Sequence, residues 1–328
     1  MESETAQLGR VRPLPSAGCD SFPDVNVKII DGGMGRELRR IGAPFQQPEW
    51  SAQALMDAPD MVRCAHDNFI AAGAEVIIVN SYAVVPFHIG ADRFQARGAE
   101  LIDLAGRIAR EAADEAISRP LVAGSVPPLF GSYEPDQFVS EEAPALYDVV
   151  ASAQAPFVDL WILETMSSIA EVSAALAAVE KHRTDPAQPI WLSFCLPDTE
   201  PDGTVRLRSG ETITAVAEAF HDRVDVFSIN CSLPERIEEG IPQLRQALGT
   251  LGSNAAIAAY ANAFEPTLRQ LPANAGISGE RSELTPEVYA NAAERWIELG
   301  ASIVGGCCGI HPEHIAELAR RHPPAIRA

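Results

Sequence analysis

A chain of 328 residues with a formal charge of −20 at pH 7 carries the same sign as phosphate backbones and anionic lipid surfaces, which argues against nucleic-acid or membrane-surface partners. Its residues are 47% hydrophobic but only 6% aromatic, so a core must come mainly from Ala, Val, Leu and Ile, a composition suited to layered packing inside a parallel barrel. Six cysteines in a chain this long make no disulfide framework, and no stretch reads as a secretion signal or reaches the ~18 apolar residues of a membrane span; free thiols and a cytoplasmic location are the expectation.

The chain opens with an irregular arm over residues 1–24, where Pro13, Pro15, Ser16, Gly18 and Pro23 interrupt any periodicity, and the folded domain is expected over 25–328. From there short β-rich runs alternate with longer stretches of helical period. The predicted strands are Val27 to Ile30, Glu75 to Asn80, Leu121 to Ser125, Leu160 to Glu164, Ile190 to Cys195, Val224 to Asn230, Ala255 to Tyr260 and Ser302 to Gly305. Predicted helices include Met61 to Ala72, Ala99 to Ile117, Ile169 to Lys181, Ile213 to Phe220, Pro234 to Leu248, Pro286 to Leu299 and Pro312 to Arg320. Thr285 before Pro286 and His311 before Pro312 are start signals, since proline is accommodated in a first helical turn. Eight βα units with no break in composition predict a single (β/α)8 TIM barrel rather than an open doubly wound sheet. Three long connections, Gly42 to Ala54, Pro127 to Glu142 and Pro197 to Gly210, follow the C-terminal ends of strands, where barrel enzymes build their sites.

The chemistry concentrates at two of those ends. Asn230-Cys231-Ser232 closes the sixth run and Gly305-Gly306-Cys307-Cys308-Gly309 the eighth, whereas Cys19, Cys64 and Cys195 are scattered. Thiolates suit zinc, and three protein ligands with one open position describe a catalytic rather than a structural zinc site. Neighbouring cysteines face opposite sides of a regular strand, so both reach one ion only where the glycines around them let the backbone bend. A thiol of pKa about 8.5 is mostly protonated at neutral pH; coordination deprotonates it, and the open position would receive a substrate sulfur. Cys231, Cys307 and Cys308 are therefore the expected ligands of a Zn2+ ion. His311 and His314, just beyond, read as helix residues; His66 and His88 have no partner that the sequence names.

Several motifs, in order, carry a family likeness: DGGMGREL from Asp31, NSY from Asn80, GSVPP from Gly124, ETM from Glu164, NCS from Asn230 and GGCCGIHPEHI from Gly305. From about Val27 to Ala316 the chain resembles the homocysteine S-methyltransferases, a group that includes S-methylmethionine- and betaine-dependent enzymes. The resemblance implies methyl transfer to homocysteine, forming methionine, with the family's zinc ligands falling on Cys231, Cys307 and Cys308. It implies that Asp31 and Glu164 hold the amino group of homocysteine, that Gly32 and Gly33 let the backbone approach its amino-acid end, and that Trp50 lies near the donor, where an indole face suits a methylated cation. Asn80, Ser125 and Asn230 sit at strand ends and either orient ligand groups or satisfy loop backbone.

Two departures bear on the donor. Thr165 stands where the betaine-dependent branch has tyrosine, and the long C-terminal extension of that branch is missing. S-methylmethionine is the preferred donor, with betaine or another methylated cation, and another thiol or selenol acceptor, as alternatives. The partners implied are small molecules, and both a monomer and a homo-oligomer are compatible with the sequence. A zinc or thiol barrel for binding or redox sensing through Cys307 and Cys308 is the non-enzymatic alternative.

Overall fold

Short runs rich in Val, Ile, Leu and Ala, buried on both faces, make eight strands: β1 (Lys28–Ile29), β2 (Val76–Ile78), β3 (Leu121–Val126), β4 (Leu160–Met166), β5 (Ile190–Phe194), β6 (Val226–Asn230), β7 (Ala256–Ala261) and β8 (Ile303–Gly306). In the computed structural model, which describes residues 27–199, 204–266, 274, 276 and 278–323, they form one parallel sheet in the order β1-β8-β7-β6-β5-β4-β3-β2. The seam between β1 and β2 is held by the Glu75 N–H donating to the Ile29 carbonyl at 2.7 Å and the Asp31 N–H to the Val76 carbonyl at 3.0 Å, with a parallel bridge between Ile30 and Val76. The sheet is thereby rolled into the expected single (β/α)8 barrel. Ile30, Val76, Ala123, Ile162, Trp191, Val226, Ala258 and Ile303 pack together in its interior. Opposite faces of the same strands, including Trp161, Leu163, Leu192 and Phe227, pack under the helices.

The helices are α1 (Met34–Arg40), α2 (Ser51–Asp57), α3 (Pro59–Ala71), α4 (Pro86–Ile89), α5 (Ala91–Glu115), α6 (Ala143–Gln154), α7 (Ile169–His182), α8 (Ile213–Phe220), α9 (Pro234–Leu251), α10 (Pro286–Leu299) and α11 (Pro312–Arg321). Those over 213–220 and 286–299 match the predicted spans. Ser168, Thr212 and Thr285 cap α7, α8 and α10 by accepting the backbone N–H three residues on, which leaves fewer unpaired donors at those starts. Helix α5 begins eight residues before the predicted Ala99 because its first two turns are exposed apart from Phe94 and Gly98, and an exposed turn leaves little apolar period to read. Helix α2 overlaps the expected long connection Gly42 to Ala54, so that connection is shorter than its sequence suggests and follows α1 rather than a strand. Helix α6, absent from the predicted set, completes the crossover between β3 and β4. The expected arm over 1–24 lies outside the described residues, and Cys19 with it. Among the described residues no helix is long and apolar enough to cross a membrane.

One buried carboxyl sets a pH dependence on this framework. Glu171, in the first turn of α7, accepts a 2.8 Å hydrogen bond from the Ser167 N–H, yet burial pushes its pKa up from 4.5 to about 7. The unfolded chain releases this proton near pH 4.5 and the native chain near 7, so the native state loses stability as pH rises through that window, by roughly 3 kcal/mol. Glu171→Gln keeps an oxygen for the Ser167 N–H and removes the buried charge. Its thermal midpoint is expected to rise by several degrees at pH 8 and hardly move at pH 5; equal shifts at both would contradict the assignment.

Candidate active site

At the C-terminal rim the three cysteines of the NCS and GGCCG segments meet, their Sγ atoms all within 4.8 Å of one another. Two local features bring them there. Cys231 leaves β6 with φ 43°, its N–H donating to the Tyr260 carbonyl at 3.0 Å. After β8, the Cys307 N–H donates to the Ala261 carbonyl at 2.8 Å, and a turn closed by Ile310 N–H on the Cys307 carbonyl at 3.0 Å bends the chain through Gly309 at φ 81°. Gly32 and Gly33 are needed where this turn docks: a Cβ on them would stand 2.4 Å from the Ile310 oxygen and 2.6 Å from the Cys307 oxygen. The expected role of these glycines toward a ligand thus comes with a packing reason of its own.

As thiols the trio is strongly linked. Hydrogen bonds with Cys231 and Cys307 hold Cys308 well below its ordinary value; hydrogen bonds with Cys231 and with Cys308, together with burial, push Cys307 up. A trio that shares negative charge, with Cys231 buried and Cys307 and Cys308 half-buried, suits a soft cation. Thiolates bound at about 2.3 Å to a tetrahedral ion stand about 3.8 Å apart, a spacing that sulfurs within 4.8 Å of one another reach by small rotations. His311 and His314 stay outside this group. His314 accepts the His311 N–H at Nδ1 (3.2 Å) and donates from Nε2 to the Leu284 carbonyl (3.0 Å), while His311 lies between Glu37 and Glu280. Cys195 is buried behind the Thr165 and Met166 carbonyls, its Sγ 3.6 Å from each, and Cys64 is exposed on α3.

The cysteines open onto a cavity of about 220 Å³ whose wall includes Asp31, Gly32, Gly33, Asn80, Trp50 and Glu164. Both carboxyls are buried. Asp31 accepts from the Ile78 N–H at 2.8 Å, but burial, with Glu164 nearby, raises its pKa well above the usual carboxylate range. Burial also lifts Glu164 from 4.5 to about 7, against a 2.7 Å hydrogen bond from the Ser125 hydroxyl that pulls the other way. Two desolvated acids at one wall are complementary to an ammonium group.

Ser125 and Asn230 do not line the cavity. Ser125 acts on Glu164, and its own backbone is held by Gln154 of α6 (3.0 and 2.8 Å). Asn230 clamps Thr165, accepting its N–H at 3.1 Å and donating to its hydroxyl at 2.9 Å, across two strand ends where both Thr165 (φ 57°) and Cys231 are in left-handed backbone. Asn230→Ala removes both bonds and leaves a buried N–H unpaired, so a loss of about 2–4 kcal/mol is expected. Chemical denaturation checks it; a midpoint equal to wild type would contradict the clamp.

Residues 28–322 match the family model described as homocysteine S-methyltransferase. The chain belongs to the homocysteine S-methyltransferase family. It is similar to homocysteine S-methyltransferase 1 of Zea mays, with 29% identity over 324 residues, 89% of this chain and 93% of that one. It is similar to the selenocysteine methyltransferase of Astragalus bisulcatus, with 30% identity over 324 residues, 88% and 90% of the two chains. In structure it resembles the metallated form of the homocysteine methyltransferase MmuM of Escherichia coli, with TM-score 0.72, 25% identity and coverage of 91% and 97%. Membership of the homocysteine S-methyltransferase family makes this chain a methyltransferase and sets aside the reading of a barrel for binding or redox sensing alone.

In this family member part of the wall comes from residues that the sequence motifs do not mark. Tyr133, from the β3–α6 connection, donates its hydroxyl to Cys231 Sγ at 2.9 Å, with the Arg208 guanidinium 4.3 Å from its ring centroid. Phe264 and Ser278 come from the connection between β7 and α10, a stretch of more than twenty residues that carries none of the family motifs. Trp50 stacks edge-on against Phe45 at 5.6 Å and donates Nε1–H to Asn274 at 2.8 Å. His88 has a partner after all, the Pro48 carbonyl 3.2 Å from Nδ1, whereas both nitrogens of buried His66 remain unbonded.

Proposed function

We propose that this family member transfers a methyl group from a small cationic donor, S-methylmethionine, to zinc-held homocysteine, forming methionine. The observation that carries the reading is one cavity that joins three clustered sulfurs to two buried carboxyls. Cys231, Cys307 and Cys308 are the residues that would hold zinc, and Asp31 and Glu164 those that would bind the acceptor ammonium. Zinc bound there supplies a soft Lewis acid that lowers the pKa of the acceptor thiol.

The remaining work falls to the chain. Asp31 and Glu164 fix the amino end of homocysteine, so the short side chain directs its sulfur to the cysteines. Tyr133 places a hydroxyl proton on Cys231 and takes up part of the charge gathered there. Trp50, Phe45 and Phe264 supply aromatic rings whose faces attract a sulfonium, and the buried wall limits water. In the transfer, an S–CH3 bond forms on homocysteine as the CH3–S bond of the sulfonium breaks, its electron pair leaving with the donor sulfur. One proton is released, and the products are two molecules of methionine.

A second reading concerns the acceptor: the relative from Astragalus bisulcatus is named for selenocysteine, and a softer selenol would occupy the same place. Unlabelled S-methylmethionine with homocysteine labelled in its carbon chain, selenocysteine or both distinguishes the readings. Chain-labelled methionine in excess of Se-methylselenocysteine is expected in the mixture; an excess of Se-methylselenocysteine would move the acceptor, and formation of neither would overturn the donor.

A further inference from the structure

Besides its thiols and phenols, the described wall of the cavity carries Asp31, Glu164 and Arg36. His88 lines it too, but burial pushes its pKa down to about 4, so it is neutral at pH 7. The acids face one ammonium in the proposed reaction. Arg36 is unassigned, and at first sight it is misplaced, because a guanidinium on the wall of a site that receives a methylated cation repels it.

Arg36 projects from α1 and is 9% exposed. Its Nη1 lies 3.0 Å from Glu280 Oε1, Nη2 donates to the Ser278 carbonyl at 2.8 Å, and its Cζ is 5.7 Å from the Phe264 ring centroid. A clasp between α1 and the 278–280 segment explains these bonds, but they engage two of the five N–H groups of a guanidinium. Glu280 is moreover a divided partner, with Oε2 3.5 Å from His311 Nε2. Among the described residues the guanidinium thus has one carboxylate partner, shared with His311, and a charge neighbour in Cys308, which it helps to hold low, in a cavity that also presents Phe264 and Trp50.

A donor that brings its own anion reverses the sign of the problem: rings face the sulfonium while the planar fork takes a carboxylate. We propose that Arg36 recognises the carboxylate of the methyl donor and selects zwitterionic, amino-acid-type donors over methylated cations that lack a carboxylate. This inference rests on the reaction proposed above and narrows its donor class.

The test separates the two. S-methylmethionine and its carboxyl-free counterpart, (3-aminopropyl)dimethylsulfonium, are titrated calorimetrically into zinc-loaded protein without an acceptor thiol, so that no transfer follows binding. Wild type is expected to bind S-methylmethionine at least about tenfold more tightly, the scale of a charge-assisted hydrogen bond. Arg36→Gln should bring the two ligands within about twofold, Arg36→Lys should retain part of the preference, and homocysteine affinity should be unchanged in both. Equal binding of the two ligands by wild type overturns the proposal without any variant having to fold. So does a preference that survives in Arg36→Gln, or a loss that falls on homocysteine instead. Failure of the underlying reaction looks different: wild type then makes no methionine from S-methylmethionine, whatever its preference in binding.

Discussion

Cys308→Ala is expected to lose zinc and methyl transfer together. Altering a group that only supports a metal ligand typically costs about 10–100-fold in affinity or activity, so removing a ligand should cost more than about a hundredfold. Cys308 is half-buried in a turn outside the strands, which leaves the barrel intact; unchanged circular dichroism with less than a tenth of the wild-type zinc, by roughly the same scale, is the expected combination. Cys64→Ala is the control, because Cys64 is exposed on α3 and should leave both quantities unaltered. Full activity in Cys308→Ala would remove the cysteine trio from the reaction.

Glu164→Gln is expected to raise the KM for homocysteine by about 10–100-fold with a smaller effect on the donor, since it deletes one charge-assisted contact to the ammonium. The pH profile carries a sharper signature. Glu164 releases its proton at about 7 rather than 4.5 because it is buried, and only the ionised carboxylate pairs with an ammonium. The KM for homocysteine should therefore fall as pH rises through 7 and level off above it. That limb should vanish in Glu164→Gln. In Ser125→Ala, which takes away the hydroxyl that pulls Glu164 down, the limb should move to higher pH. A wild-type KM flat between pH 6 and 8 would contradict the assignment of Glu164 to the ammonium.

What the sequence disclosed, and what it hid, divides along physical lines. All eight strands were legible because each is a short apolar run with a buried face on both sides, and the caps at Thr285 and His311 were legible because capping is local. Cys231, Cys307 and Cys308 were legible because thiols at matching strand ends must converge once the strands close into a barrel. Tyr133, Phe264 and Arg36 were not: each reaches the cavity from a connection or a first helical turn, whose path depends on tertiary contacts such as Arg36 with Ser278 and Glu280. Asn230 and Ser125 illustrate a subtler limit. Their place at strand ends was evident, yet only the structure distinguishes facing the cavity from acting on Thr165 and Glu164 behind it.

The most direct test of zinc-dependent methyl transfer to homocysteine is methionine formation from homocysteine and S-methylmethionine, with zinc content measured on the same sample. Formation that a chelator abolishes and added zinc restores, in proportion to bound metal, is the predicted result. Transfer at the full rate by protein stripped of zinc would contradict it.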